Sequence, residues 1–110
     1  MAVARVAVVD YGMGNLRSVA QAVLHVAADT GHDVVLTQDP DVVRSAERMV
    51  LPGQGAMADC MRELDASGLR QVVLEALTHK PSFGVCVGMQ MLLDHSEEGD
   101  DAQGTPALGV

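Results

Sequence analysis

Residues 6–27 have the sequence VAVVDYGMGNLRSVAQAVLHVA. The aliphatic residues at its start predict a buried β-strand that ends at Asp10, and a glycine-containing loop follows. Beyond the loop, the apolar residues recur with a helical period: Leu16, Val19, Ala20, Val23, Leu24 and Ala27. Asn15 stands at the N-cap position and Gly31 lies beyond the last apolar residue, which favours a helix over residues 16–27. The segment therefore predicts the first half of a β-α-β unit.

The same alternation continues along the chain. Aliphatic runs at 34–36 and 49–51 predict two further strands, and residues 83–85 predict a fourth. Pro40 is placed to start a short helix, and residues 88–93 have a helical pattern. A second long helix is predicted from one apolar stripe: Leu69, Val72, Val73, Ala76 and Leu77. Continuously aliphatic strands that alternate with helices are typical of parallel strands covered on both faces. We therefore expect an α/β fold with a doubly wound, mostly parallel sheet.

Composition excludes several classes of function. The chain has 110 residues, enough for one small domain, and a net charge of −8 from 15 acidic and 7 basic residues. This negative charge disfavours nucleic acid and anionic membrane surfaces as partners. No apolar run approaches the roughly 20 residues that a transmembrane helix needs. The two cysteines have no metal-binding spacing with each other or with the four scattered histidines, so we expect no metal site and a reducing, cytoplasmic environment.

A candidate nucleophile follows the fourth predicted strand. Residues 84–88 have the sequence GVCVG, which matches the pattern of a nucleophile elbow, with Cys86 at the tip of a strand-to-helix turn. Glycines flank such a turn because the strand and the helix cross too closely for side chains. The dipole of the following helix favours the thiolate form of Cys86. An inert cysteine buried at a tight turn has the same local pattern, and the pattern alone leaves this alternative open.

Two other loops lie at predicted strand ends. Residues 52–55, PGQG, could border the same crevice, because ligands of α/β sheets bind at the carboxyl ends of strands; an ordinary turn is the alternative. The loop at 10–15 lacks the dinucleotide fingerprint, since Arg17 occupies the position of its third glycine. The phosphate-binding G-K-[ST] motif is also missing, so we predict no cofactor. Cys60, within a helical stretch, is expected to be a small buried hydrophobic residue.

Three segments together resemble one enzyme family. They are YGMGNL at 11–16, PGQGA at 52–56 and GVCVGMQ at 84–90, the last followed by SEEG at 96–99. In order and separation they are similar to the triad-type, class I glutamine amidotransferases, and among these to the glutaminase subunits of imidazole glycerol phosphate synthases. The resemblance covers essentially the whole chain. It implies a flavodoxin-like fold and hydrolysis of glutamine through a cysteine thioester.

The resemblance also implies roles for individual residues. Cys86 would be the nucleophile, and the backbone amides at Gln54 and Val87 would form the oxyanion hole. Gly53, Gly55 and Gln90 would bind glutamine. Tyr11 and Asn15 would lie near a partner. That partner is the cyclase subunit of the synthase, which forms a heterodimer with the glutaminase and uses the ammonia in histidine biosynthesis.

The chain departs from the family pattern in two ways. The family's general base and its orienting acid come from a His-x-Glu pair close to the C-terminus of the complete protein, and nothing in these 110 residues supplies that pair. His95 is near Cys86 in the sequence, but a predicted helix separates the two, so we do not expect it to be the base. Gln54 occupies a position where many members have an apolar residue, which makes activation by the partner less certain. We therefore interpret residues 1–110 as the N-terminal part of a single amidotransferase domain, with a sheet that is incomplete at its C-terminal end and no activity by itself.

Other functions remain as alternatives. One is a different triad-type amidotransferase, serving pyridoxal phosphate, carbamoyl phosphate or anthranilate synthesis, although the Tyr-Gly-x-Gly-Asn opening argues against it. Another is a non-hydrolytic module in which Cys86 senses oxidation or a small carbonyl compound, and a third is an inactive fragment that only binds. A downstream His-x-Glu pair would support the glutaminase, and its absence would support the sensor.

Overall fold

A computed structural model describes residues 4–12, 16–28, 30–85, 87–92, 95–96, 105–106 and 108–109. Four strands form one sheet in the order β2-β1-β3-β4, and all neighbours in it are parallel. Their bounds are β1 Arg5–Val9, β2 Asp33–Thr37, β3 Arg48–Leu51 and β4 Ser82–Gly84. The four predicted strands and the α/β class are therefore confirmed.

Five helices connect or follow these strands. They are α1 Leu16–Ala27, α2 Pro40–Ser45, α3 Met57–Ser67, α4 Arg70–His79 and α5 Val87–Gln90. The predicted bounds of α1 are confirmed, whereas its predicted N-cap, Asn15, lies outside the described residues. Pro40 begins α2 as predicted, and the Asp39 carboxylate caps this helix by accepting a hydrogen bond from the amide of Asp41. Gly31 has a φ of +75° and turns the chain into β2, four residues after α1 ends.

The structure corrects three details of the predicted elements. Two helices, α3 and α4, lie where one was clearly predicted, because Gly68 adopts a φ of +77° and ends α3. The last helix, α5, ends at Gln90 rather than at residue 93. Two short strands, β5 at His95–Ser96 and β6 at Thr105–Pro106, pair antiparallel at the ends of the predicted exposed loop. Residues 97–104 of that loop lie outside the described residues.

The connections place helices on both faces of the sheet. Parallel crossover connections are almost always right-handed. The step from β1 to β2 runs one way across the sheet, whereas the steps from β2 to β3 and from β3 to β4 run the other way. The helix of the first connection, α1, therefore lies on one face, and α2, α3 and α4 lie on the opposite face. This is the doubly wound arrangement that the sequence predicted.

Alternate residues of the central strands enter two separate cores. On the face covered by α2, α3 and α4, Ala7 and Val9 of β1 join Met49 and Leu51 of β3 in a large cluster. The same cluster contains the buried residues of these helices, among them Val43, Met57, Cys60, Leu64, Val72 and Val73. On the opposite face a small cluster packs against α1: Val6, Val8 and Val50.

Candidate active site

The candidate site lies at the carboxyl edge of the sheet, where the strand order reverses. β1 and β3 are neighbours, with Val8 paired to Val50, and the connections from these strands leave in opposite directions. In open α/β sheets, ligands bind in the crevice at such a switch point. The segment after β1 leads to Tyr11, and the segment after β3 is the loop 52–55. The topology thus brings two of the three sequence motifs to one edge.

The third motif reaches the same edge through β4. Leu51, the last residue of β3, pairs with Gly84, the last residue of β4. The amide of Val85 then donates to the carbonyl of Leu51 at 3.0 Å, which extends the pairing by one residue. The chain therefore leaves β4 directly beside the loop that begins at Pro52.

The two glycines of the predicted elbow stand where the strand and the helix cross closely. A Cβ added at Gly84 would lie 2.5 Å from the Cα and 2.7 Å from the amide nitrogen of Met89 in α5. A Cβ added at Gly88 would overlap the carbonyl oxygen of Leu51 and lie 3.0 Å from the carbonyl carbon of Pro52. The amide of Gly88 also donates to the carbonyl of Val85 at 2.9 Å, closing a tight turn. Both positions therefore require glycine, and α5 begins against the end of β3.

The predicted nucleophile itself, Cys86, lies outside the described residues. Its neighbours in the chain are described: Val85 follows β4, and Val87 is the first residue of α5. The role of Cys86, and that of the Val87 amide, remain predictions.

The loop 52–55 is buried at its start and exposed at its end. Pro52 and Gly53 are buried, whereas Gln54 and Gly55 are exposed. Gly55 has a φ of +83°, a conformation that strongly favours glycine. Gln90, the other predicted substrate-binding residue, is exposed on α5. The exposure of Gly55 and Gln90 is compatible with their predicted roles in binding glutamine, whereas Gly53 is buried; all three roles stay predictions.

Tyr11 faces the interior of the protein. Its side chain is only 3% exposed, and its hydroxyl donates to the carbonyl of Pro52 at 2.6 Å. Burial, followed by the nearby Cys60 thiol, raises the pKa of this hydroxyl far above its ordinary value. A buried side chain does not fit direct contact with a partner. That the segment of Tyr11 and Asn15 lies near a partner stays a prediction. Asn15 itself lies outside the described residues.

Cys60 is confirmed as a buried residue of a helix. It lies in the first turn of α3 with no exposed surface, and its thiol donates to the carbonyl of Gln54 at 3.4 Å. Sequence reasoning missed that Tyr11 and Cys60 both contact the loop 52–55. A buried tyrosine needs a partner for its hydroxyl, so Tyr11 carried a signal that pointed to some acceptor. The position of Cys60 carried no such signal.

The three histidines of the α1–β4 region lie away from the elbow. His25 and His79 lie in the last turns of α1 and α4, and these helices run back to the amino edge of the sheet. His32 precedes β2, and its Nε2 lies 3.0 Å from the Arg48 guanidinium at the start of β3. All three are at the edge opposite the elbow.

No group of three or more His, Cys, Asp and Glu residues in the described part of the chain could hold a metal ion. None of the helices within the described ranges is long and apolar enough to cross a membrane.

Comparison with known families gives a match over most of the chain. Residues 7–101 match the family of class-I glutamine amidotransferases. The match includes the loop after β1, the loop 52–55 and the elbow, which are the three elements that the fold brings to one edge.

Individual relatives are similar over nearly the whole chain. The chain is 62% identical over 105 residues to the imidazole glycerol phosphate synthase subunit HisH of Dechloromonas aromatica, covering 96% of this chain and 46% of that protein. It is 59% identical to the subunit of the same name from Aromatoleum aromaticum, covering 96% of this chain and 47% of that protein. The subunit from Nitrosospira multiformis is also 59% identical, with coverages of 86% and 44%. These similarities confirm the resemblance drawn from the motifs, and the chain spans about half the length of these relatives.

Proposed function

Because the chain belongs to the class-I glutamine amidotransferase family, we propose that it forms part of the glutaminase subunit of an imidazole glycerol phosphate synthase. The subunit hydrolyses glutamine and passes the ammonia to a cyclase partner in a heterodimer that serves histidine biosynthesis. Residues 1–110 provide the elbow and the loop 52–55 of one amidotransferase domain. Two cysteines make no disulfide framework, which suits a reducing compartment, so we propose that the enzyme acts in the cytoplasm.

The observation that carries the proposal is the close crossing of β4 and α5 against the end of β3. At Gly84 and Gly88 no side chain fits, and the backbone that Gly88 touches belongs to Leu51 and Pro52. Glycines at these two positions of a strand-to-helix turn are the pattern of a nucleophile elbow. The same contact sets the elbow beside the loop 52–55, whose amides are suited to stabilise an oxyanion.

The chemistry follows from this arrangement. The thiolate of Cys86 attacks the side-chain amide carbon of glutamine, a C–S bond forms, and the carbonyl electrons move to oxygen. The amides of Gln54 and Val87 donate to that oxyanion, while Gly53, Gly55 and Gln90 hold the substrate. The C–N bond then breaks, the nitrogen takes a proton, and ammonia leaves. Water attacks the resulting thioester, the C–S bond breaks, and glutamate is released.

Three proton transfers in this sequence pass through one general base. It accepts the thiol proton of Cys86, delivers a proton to the leaving nitrogen, and later accepts one from the attacking water. The described histidines of the α1–β4 region lie at the opposite edge of the sheet. We therefore propose that a His-x-Glu pair in the complete subunit supplies the base and its orienting acid.

Labelling with a glutamine analogue tests the assignment of the nucleophile. The protein for this test is the complete subunit, meaning residues 1–110 in the full-length gene product or joined to the C-terminal half of the Dechloromonas aromatica relative. A diazoketone analogue of glutamine should modify Cys86 and leave Cys60 unmodified, because Cys60 is buried. Substitution Cys86→Ser should abolish labelling and lower glutamine hydrolysis by roughly 10⁴-fold or more.

Two results would contradict the proposal in different ways. A label found chiefly on Cys60 by mass spectrometry would overturn the choice of nucleophile. A complete subunit that is neither labelled nor able to hydrolyse glutamine, with or without the cyclase, would favour the sensor alternative.

With the enzyme active, hydrolysis should rise sharply when the cyclase and its ligand are added, since a glycine loop can rest in an unproductive arrangement. Equal rates with and without the cyclase would contradict that partnership.

A further inference from the structure

The carbonyls of the segment that leads into the loop 52–55 are held by three different elements. The carbonyl of Leu51 accepts from the Val85 amide at 3.0 Å. The carbonyl of Pro52 accepts from the Tyr11 hydroxyl at 2.6 Å, and that of Gln54 accepts from the Cys60 thiol at 3.4 Å. The first bond continues the sheet. The other two are side-chain bonds specific to this loop, and they come from the segment after β1 and from α3.

Tyr11 makes the stronger of the two side-chain bonds. Its hydroxyl has one hydrogen, and the carbonyl of Pro52 at 2.6 Å is a better acceptor than the Sδ of Met91 at 3.3 Å. Pro52 and Met91 are both buried, so the bond is shielded from water. Because the hydroxyl keeps its proton up to strongly alkaline pH, it remains a donor at any pH where a glutaminase would act.

Holding a carbonyl also fixes the amide that shares its peptide plane. The described peptide bonds are trans, so the C=O of one residue and the N–H of the next point in opposite directions. With the Pro52 carbonyl directed at Tyr11, the Gly53 amide points away from the Tyr11 side chain. The Gln54 carbonyl and the Gly55 amide are related in the same way through Cys60. Within the described ranges no acceptor is found for these two amides.

We propose that Tyr11 is a positioning residue for catalysis. Its hydroxyl sets the orientation of the loop 52–55 and so directs the loop amides towards the substrate, with Cys60 as a second and weaker anchor. The Gln54 amide, a proposed oxyanion donor, lies in the peptide between the two anchored planes. This inference rests on the proposed glutaminase function, because it assigns Tyr11 a task in that reaction.

The test is the kinetics of Tyr11→Phe in the complete subunit with its cyclase partner. The variant keeps the buried ring and removes only the hydroxyl. We expect kcat for glutamine hydrolysis to fall about tenfold, as for the loss of one hydrogen bond of a buried group, while KM changes less than about twofold. The matched control is Val73→Ala, a buried residue of α4 in the same core, which should lower stability without lowering kcat.

A second pair of variants keeps the test decisive if Tyr11→Phe does not fold. Cys60→Ser retains a donor to the Gln54 carbonyl and should keep kcat within about twofold of the wild type, whereas Cys60→Ala should lower kcat about threefold. The proposal is wrong if Tyr11→Phe, or in its place Cys60→Ala, has wild-type kcat. It is also wrong if Val73→Ala loses as much kcat as Tyr11→Phe. A wild type that hydrolyses no glutamine would instead refute the proposed function on which this inference rests.

Discussion

The two faces of the sheet differ in how completely their helices cover them. On one face, α2, α3 and α4 enclose a cluster that includes Leu51, Leu64 and Val73, each at most 1% exposed. On the other face, α1 has no buried residue, and only Val6, Val8 and Val50 are buried beneath it. The face that is well packed also holds Tyr11 and Cys60, which anchor the loop 52–55. The loop 52–55 is therefore held by residues of the well-packed face, whose core is formed within residues 1–110.

The face covered by α1 has an open groove of about 640 Å³ between α1 and the β3–β4 side of the sheet. Val26 is 77% exposed on its helical wall, and Phe83 is 67% exposed on its sheet wall. Exposed apolar surface on this scale marks an interaction site. The relatives are about twice as long as this chain, and we expect their additional half to cover the groove.

The largest expected effect is the behaviour of residues 1–110 alone. We predict that this chain hydrolyses no glutamine, because it lacks the family's C-terminal His-x-Glu pair, and that it is poorly folded. A small domain has a total stability of only roughly 5–15 kcal/mol, and an uncovered face with free strand edges could remove all of it. Binding of a hydrophobic dye and light scattering would report the exposed groove.

The complete subunit and a complemented chain are the controls for this prediction. Co-expression with a complementary C-terminal half should restore solubility, abolish dye binding and restore glutamine hydrolysis. A sharp cooperative melt of residues 1–110 alone, together with measurable turnover, would show that the difference between the two faces has no consequence for folding.

A smaller effect is expected on the free energy of unfolding when one leucine from each face is replaced by alanine. In the complete subunit, Leu64→Ala should lower the free energy of unfolding by about 2–5 kcal/mol, because Leu64 of α3 is fully buried and its loss leaves a cavity. The matched control is Leu24→Ala in α1, where the side chain is 44% exposed; we expect less than about 1 kcal/mol. Urea denaturation measures both. Equal costs would mean that the complete subunit buries α1 as deeply as α3.

The sequence predicted the sheet and the place of the site for reasons that the structure makes clear. Aliphatic runs such as Val6–Val9 form strands because they are buried on both faces, and Gly84 and Gly88 are glycines because backbone occupies the space of a side chain. Both signals are local and can be read from one segment. The predicted domain assignment and the predicted site roles remain to be tested.

Other features could not be predicted because they depend on contacts distant in the sequence. The hydroxyl of Tyr11 donates to a carbonyl 41 residues away. The ammonium of Lys80 donates to the carbonyls of Val43 and Arg44 in α2 and to that of Ala46, the residue after this helix. No periodicity encodes such pairs. The boundary between α3 and α4 was missed for the opposite reason: Gly68 is a local signal, but the apolar stripe after it dominated the interpretation.

The smallest expected effect concerns the pH dependence of stability on the well-packed face. The folded protein raises the pKa of Tyr11, mainly through burial, from an ordinary value of 10.0. A raised pKa means that the contribution of the neutral hydroxyl is complete below pH 10.0 and is lost as the pH rises further, because the unfolded chain releases the proton first.

Below pH 9, Tyr11→Phe should therefore differ from the wild type by a constant amount, about 1 kcal/mol for the lost hydrogen bond to Pro52. Above pH 10 the difference should shrink, by at most about 1.4 kcal/mol per pH unit. Urea midpoints of both proteins between pH 8 and 11 measure this, and titrating groups that do not contact Tyr11 are common to both proteins and cancel in the comparison. A difference that stays constant up to pH 11 would mean that the Tyr11 hydroxyl ionises equally easily in the folded and unfolded protein, and that it is not held in the buried contact with Pro52.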